Sequence, residues 1–132
     1  MRLLPLRLHP GEDLRAALEA LLARHQVGAA FVLQGIGSLS MTRLRLAGAA
    51  APQELAGDVE ILTLAGSLSG DGAHLHMAVS DSCGRVLGGH VASGCIVRTT
   101  AEVLVALLPD QHFSRQPDPA SGYLELAIRL AP

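Results

Sequence analysis

Apolar positions along the chain fall into one helical repeat and a series of alternating runs. Residues 3–8, Leu-Leu-Pro-Leu-Arg-Leu, read as a short strand. Pro5 assigns it to a sheet edge, because proline has no amide to give to a central ladder. Pro10-Gly11-Glu12-Asp13 then opens a helix, with acids at the end where the helix dipole favours negative charge. Leu14, Leu18, Leu21 and Leu22 recur at i, i+4, i+7 and i+8 and line one face, with Arg15, Glu19 and Arg24 off it. The helix is expected to end near Gln26, before Gly28.

The remainder reads as strands and punctuation. Ala29 to Gln34 is one strand, broken by Gly35-Ile36-Gly37-Ser38. Thr42 to Ala47 alternates, with Leu44 and Leu46 on one face and Arg43 and Arg45 on the other. Gly48 to Gly57 reads as a loop of small residues. Asp58–Leu68, Ala73–Ser80 and Arg85–Val91 are strand-like. Residues 101–108 fit either state: Thr99 with Glu102 resembles a helix capping box, whereas the valines and the nearby Pro109 favour a strand. Gln111 to Gly122, with Pro117 and Pro119, reads as a loop, and Tyr123 to Leu130 as a last strand. One helix and many strands predict an α+β domain dominated by antiparallel sheet, with residues 1–132 forming a single unit.

Composition narrows the function classes. The apolar share is 49%, enough for a substantial core, but aromatics are only 2%, which argues against stacking nucleic-acid bases on rings. Ten arginines face twelve acids with no lysine, so the net charge of −2 offers no excess of cations to displace counterions from DNA. The mean hydropathy of +0.36 is high for a small domain and predicts apolar surface buried between subunits. Cys83 and Cys95 form neither a CxxC pair nor a disulfide framework and fit a reducing cytoplasm. Pro5 and Arg7 interrupt the N-terminal apolar stretch, and no run approaches the ~18 residues of a membrane span. A cytoplasmic protein without membrane contact is expected.

The chemistry concentrates in Asp71–Val91, which holds three of the six histidines. On a strand, His74 and His76 point to one face and Leu75, Met77 and Val79 to the other. Ser82-Cys83-Gly84 fits a three-residue hairpin loop with Gly84 in the left-handed position, which would place Asp81 opposite Arg85 and His76 opposite His90. A four-residue loop would send His90 to the far side; the apolar pattern favours the first register, because it gathers Met77, Val79, Leu87 and Val91 on a core face. Three converging imidazoles suit a divalent transition metal, with zinc the default, and leave a coordination position open. Gly88 and Gly89 fit a crowded site.

Other candidates carry less. Gly35-Ile36-Gly37 lacks the third glycine of a dinucleotide fingerprint, and Gly66-Ser67-Leu68-Ser69-Gly70 lacks a central serine for a nucleophile elbow. Glu60 is a candidate general base for a metal-activated water, against the plainer reading of a solvent-facing strand acid. Asp81 is a second candidate proton carrier. Cys83 and Cys95 read as small buried hydrophobes, Arg115 with Asp118 as a loop ion pair, and His9, His25 and His112 as surface residues.

Gly72-Ala73-His74-Leu75-His76, Gly84-Arg85-Val86-Leu87-Gly88-Gly89-His90 and Gly94-Cys95-Ile96-Val97-Arg98-Thr99-Thr100-Ala101-Glu102-Val103 together resemble the plant and prokaryote conserved (PPC) domain. Gly35-Ile36-Gly37-Ser38-Leu39, the run Gly57–Ser67, and Phe113-Ser114-Arg115 with Asp118 and Gly122–Leu126 are similar to further parts of that family. The resemblance implies an antiparallel α+β sheet wrapped around one main helix, a homotrimer, and a metal site, usually zinc, mapping onto His74, His76 and His90. It also favours a strand at 101–108. Plant relatives carry AT-hooks; this sequence has no Arg-Gly-Arg-Pro segment, which counts against direct DNA binding, and the chain is expected to be a bacterial stand-alone member.

Two functions follow as expectations. The first is a trimeric domain whose three-histidine metal binds or transforms a small ligand. The alternative is a DNA-associated or protein-interaction module without catalysis, in which Arg43, Arg45, Arg98 and Arg115 form a patch. A metal that merely rivets the trimer is a third, purely structural variant.

Overall fold

The computed structural model describes all of residues 1–132. The elements are β1 (Arg2–Leu8), α1 (Leu14–His25), β2 (Ala30–Arg45), β3 (Gln53–Leu55), β4 (Val59–Ser69), β5 (Gly72–Ser80), β6 (Val86–Val91), β7 (Ile96–Leu107), β8 (Gln111–Asp118) and β9 (Tyr123–Leu130). The helix starts where its signals place it. The Asp13 carboxylate accepts from the Ala16 amide at 2.9 Å, and Gln26 closes the last turn in the left-handed conformation.

Seven strands form one antiparallel sheet in the order β1-β7-β2-β4-β5-β6, with β3 alongside β2. β2 is long enough to serve two neighbourhoods. Its first half pairs with β4 and β7, and its end pairs with β6, Leu44 opposite Val91 and Arg45 opposite His90. The strands β2, β4, β5 and β6 thereby close into a ring, and the hairpin β5–β6 has no free edge. β8 and β9 form a separate two-stranded ribbon.

The core is aliphatic, as the scarcity of aromatic rings requires. Leu14, Leu18, Leu21 and Leu22 of α1 pack on the inner face of the sheet with Leu64, Leu68, Leu75, Met77 and Val79. The outer face is different. Leu33, Ile36, Leu62 and Leu104 are 36–51% exposed there, and the imidazoles of β5 stand on the same side.

Several expectations need correction. The protein is not an α+β domain with its sheet wrapped round a main helix: 62% of residues are strand and 9% helix, in one helix of twelve residues. Burying a sheet face this wide takes many strands, and the single helical stripe is a cover, not a hub. The Gly35–Ser38 segment does not end its strand. It is absorbed into β2 by register shifts between Val32 and Gln34 and between Gly37 and Leu39, as bulges bend a strand without breaking it. Residues 101–107 are strand, the valines outweighing the capping-box pattern. The 48–57 loop contains the short β3, and the 111–122 loop is mostly β8. Pro5 lies on the edge strand β1, and Pro117 is tolerated in a two-stranded ribbon. The helix α1 is not long and apolar enough to cross a membrane.

Candidate metal centre

The β5–β6 hairpin builds the site. Its turn is Ser82-Cys83-Gly84, with Gly84 at φ +78°, the left-handed conformation that a bulged three-residue loop demands. The Asp81 amide donates to the Arg85 carbonyl at 2.9 Å, and the Gly84 amide to the Asp81 carbonyl at 3.0 Å. The Asp81 carboxylate accepts from the amides of Cys83 and Arg85 and from Arg85 Nε at 2.8–3.0 Å. These bonds, the Arg85 amide foremost, hold its carboxyl below the usual range. Counting back from this turn places His76 opposite His90, the register of the three-residue loop. Met77, Val79 and Val91 face the core, whereas Leu87 stays 39% exposed near the tip.

The three imidazoles meet on the outer face. His74 Nε2 and His76 Nε2 lie 3.1 Å apart, and the His90 ring centroid is 5.2 Å from that of His74 and 5.7 Å from that of His76. One ring nitrogen from each falls within 4.8 Å of the other two. Zinc–nitrogen bonds of about 2.0–2.1 Å in a tetrahedron set ligand nitrogens about 3.3 Å apart. The His74–His76 pair already stands near that spacing, and ring rotation of about 1.5 Å at most brings in the third.

Burial, followed by the Arg45 charge, pushes the His90 imidazole down to about 4. Burial and then Arg115 lower His74 as well. Both rings are therefore neutral near pH 7, the form that donates a lone pair to a metal. The Nδ1 of His90 is buried with no hydrogen-bond partner, a state that ordinarily costs stability and that a ligand or ion would relieve. The donor set fits a borderline-soft divalent ion.

The scaffold fixes these rings from behind. Ser67 of β4 lies opposite His74, and the adjacent Gly66 has φ +153° with no room for a side chain, because a Cβ there would overlap the His74 carbonyl. At Gly89 a Cβ would come within 2.9 Å of the Arg45 carbonyl, so glycine lets β6 lie close against β2. From α1, Glu19 accepts from the Ala73 amide at 2.9 Å and from Arg15 Nε at 3.0 Å, while Arg15 Nη1 donates to the Val91 carbonyl at 2.9 Å. One helical pair thus ties the start of β5 to the end of β6.

Beside His74 and His90 opens a cavity of about 890 Å³, which Arg45, Asp71, Arg115 and Glu125 also line. Arg115 donates from its backbone amide to the Asp71 carboxylate at 2.8 Å and from Nη2 to Ser67 Oγ at 2.9 Å. It does not pair with Asp118, whose carboxylate instead accepts from the Ala120 amide. The sequence reading makes 111–122 a loop, pairs Arg115 with Asp118 and gives Glu125 no role, so it brings neither residue to the imidazoles. The available signal is the tight turn at 119–122, which folds Tyr123–Leu130 back on Gln111–Asp118 and sets Arg115 opposite Leu126 and Gln116 opposite Glu125.

The other sequence candidates lie elsewhere. Glu60 pairs with Ser80, five residues along β4 from the position opposite His76, and lines a separate recess with Thr99 and Glu102. Asp81 sits at the hairpin tip, five residues from His76. At about 3.3 Å per residue both are roughly 17 Å away along the strand. Cys95 is buried as expected, its Sγ bonded to the Arg43 backbone at 3.3 Å, and burial pushes its thiol up. Cys83 is exposed on the turn, contrary to the buried reading.

Comparison with known proteins places this geometry in context. Two curated relatives, the bifunctional protein GlmU of two Synechococcus strains, are 50% and 51% identical over 98% and 97% of this chain. The chain spans only about a fifth of their length, 20% and 21%. A hypothetical protein of Salmonella enterica aligns with TM-score 0.93 and 45% identity, covering 98% of this chain and 94% of its own. The metal-containing protein AF0104 of Archaeoglobus fulgidus aligns with TM-score 0.82 and 26% identity, over 96% and 94%. A candidate DNA-binding protein of Ralstonia eutropha aligns with TM-score 0.78 and 25% identity, over 93% and 89%. The profile of the Plants and Prokaryotes Conserved (PCC) domain matches residues 1–109. With a match over most of its length, this chain belongs to the Plants and Prokaryotes Conserved domain family.

Proposed function

We propose that this domain is a divalent-metal-binding module, with zinc the default ion, in which His74, His76 and His90 are the protein ligands and a small molecule takes the open position. The observation that carries the reading is the convergence of three ring nitrogens within 4.8 Å on one face of a hairpin. The metal-containing neighbour from Archaeoglobus supports it. A metal held by three imidazoles would supply Lewis acidity at its open position. The chain's own residues do the rest: the hairpin turn aligns the rings, burial keeps His90 and His74 unprotonated, and Arg15 and Glu19 hold the two strand ends in register.

The proposed assembly is a homotrimer. Its support is the outer sheet face, where Leu33, Ile36, Leu62 and Leu104 stand exposed, together with Tyr123, Leu124 and Ile128 on the ribbon. That much apolar surface is stabilised by burial against further copies. Sedimentation equilibrium checks the stoichiometry, and a monomer at micromolar concentration contradicts it.

Direct DNA binding is the weaker reading. The Ralstonia neighbour favours it by name, but the arginines that would form the patch are divided. Arg98 pairs with Asp58 at 3.2 Å, and Arg115 faces the imidazole cavity. Metal analysis of untagged protein tests the first reading. Titration with a DNA duplex at low salt tests the second, and saturable binding that weakens steeply with added salt would revive it.

A further inference from the structure

We infer that the ligand taken at the metal is an oxyanion, a molecule presenting a carboxylate or phosphate group, and that Arg45 and Arg115 recognise it. The inference rests on the metal reading and adds what the ion's partner must be.

Two guanidinium groups approach the imidazoles from different strands. Arg45 is the register partner of His90 at the end of β2. Arg115, on β8, donates to Ser67 Oγ at 2.9 Å, and Ser67 is the register partner of His74. Both arginines line the cavity into which His74 and His90 open, and neither is in an ion pair. The other arginine near the rings, Arg15, is neutralised by Glu19 at 3.0 Å.

Charge balance points the same way. The cavity wall carries two guanidinium groups and two carboxylates, Asp71 and Glu125. One carboxylate oxygen of Asp71 is committed to the Arg115 amide at 2.8 Å. With the two guanidinium groups and the two carboxylates balancing, a divalent ion leaves the pocket with a net surplus of two positive charges. An oxyanion placed between ion and arginines offsets that surplus. Guanidinium forks match the paired oxygens of carboxylate and phosphate. A neutral or cationic ligand would leave both arginines unpaired beside a metal ion. The cavity of about 890 Å³ is large enough for an organic molecule bearing such a group, with Tyr123 and Leu124 supplying apolar wall.

The test uses the full chain loaded with cobalt(II), whose visible absorption reports the coordination sphere. Acetate and inorganic phosphate are titrated separately into the wild-type protein and into Arg45→Gln and Arg115→Gln variants. The expected result is a saturable change in the cobalt spectrum with at least one anion, the tighter one identifying the group. Each arginine substitution should weaken that anion by about tenfold or more, the scale of a charge-assisted hydrogen bond, while cobalt affinity stays within about twofold. Because Arg115 also holds Ser67, the exposed Arg45 provides the variant whose folding is least at risk. A loaded protein whose spectrum ignores both anions, or variants that bind them like the wild type, overturns this inference alone. Failure to load cobalt overturns the metal reading and this one with it.

Discussion

The two hairpins of this domain, β5–β6 and β8–β9, have similar strand content and opposite character. β5–β6 is enclosed: β4 pairs with one side, β2 with the other, and every second side chain of β5 enters the core. β8–β9 is a lone ribbon whose second strand exposes Tyr123, Leu124, Ile128 and Leu130. In the first, one buried face imposes strict alternation and a fixed register, so its imidazoles are placed by the core behind them. In the second, both faces are partly open, the alternation is weak, and a proline, Pro117, is tolerated within a strand. The enclosed hairpin presents the proposed ligands, and the open ribbon presents Arg115 and Glu125 to the same cavity.

The largest effect that breaks this contrast is at Gly66. Gly66→Ala puts a Cβ into the His74 carbonyl at a left-handed φ, and we expect a loss of about 2–4 kcal/mol in urea unfolding. In the open ribbon, Gly122 also has a positive φ, +78°, but a Cβ there meets nothing within 4 Å. Gly122→Ala should cost only about 1–2 kcal/mol, from conformation alone. Equal losses at the two glycines would remove the distinction between the close packing of β4 on the enclosed hairpin and the open ribbon.

The helix clamp comes next in size. Glu19→Ala leaves the Ala73 amide and Arg15 without their shared acceptor, and about 1–3 kcal/mol of stability should go. The same change should weaken metal binding, because the start of β5 carries His74. A variant that loses stability but keeps full metal affinity would detach the clamp from the site.

The smallest effect is on pH dependence in the metal-free protein. His90 titrates at about 4 when folded against 6.5 in the unfolded chain, so between those values the unfolded state binds more protons. This contribution is fully present above pH 6.5 and is lost as pH falls toward 4. The Tm in chelator should therefore drop between pH 7 and pH 5, and less steeply in His90→Asn, where the titrating ring is gone. Parallel curves for the two proteins would contradict the assigned burial of His90.

These contrasts explain what the sequence disclosed. The apolar stripe of α1 and the alternation from Ala73 to Val79 are each tied to a core face, and both elements lie where they are read. The tight turn at Gly84 fixes His76 opposite His90 without any long-range information. The joining of Ala30–Gln34 to Thr42–Arg45 across two glycines depends on neighbours β4 and β7 far along the chain, and so was not legible. The fold class differs from the expectation for a related reason: a helix is conspicuous in sequence, whereas the width of the sheet that it covers emerges only from strand pairing. Asp81 and Glu60 have the right chemistry, but only the sheet register reveals how far each lies from the rings. Arg115 and Glu125 depend on the ribbon's position over β2 and β4, set by the edge-on packing of Phe113 on Phe31 of β2 at 5.6 Å and by the Arg115–Ser67 bond to β4.

Metal content tests the central claim most directly. Untagged protein, stripped with chelator, reconstituted with zinc and dialysed, should retain about one zinc per chain by mass spectrometry, and His90→Ala should retain almost none. Less than about half an equivalent in the wild type, or equal retention in the variant, would contradict a centre built on His74, His76 and His90.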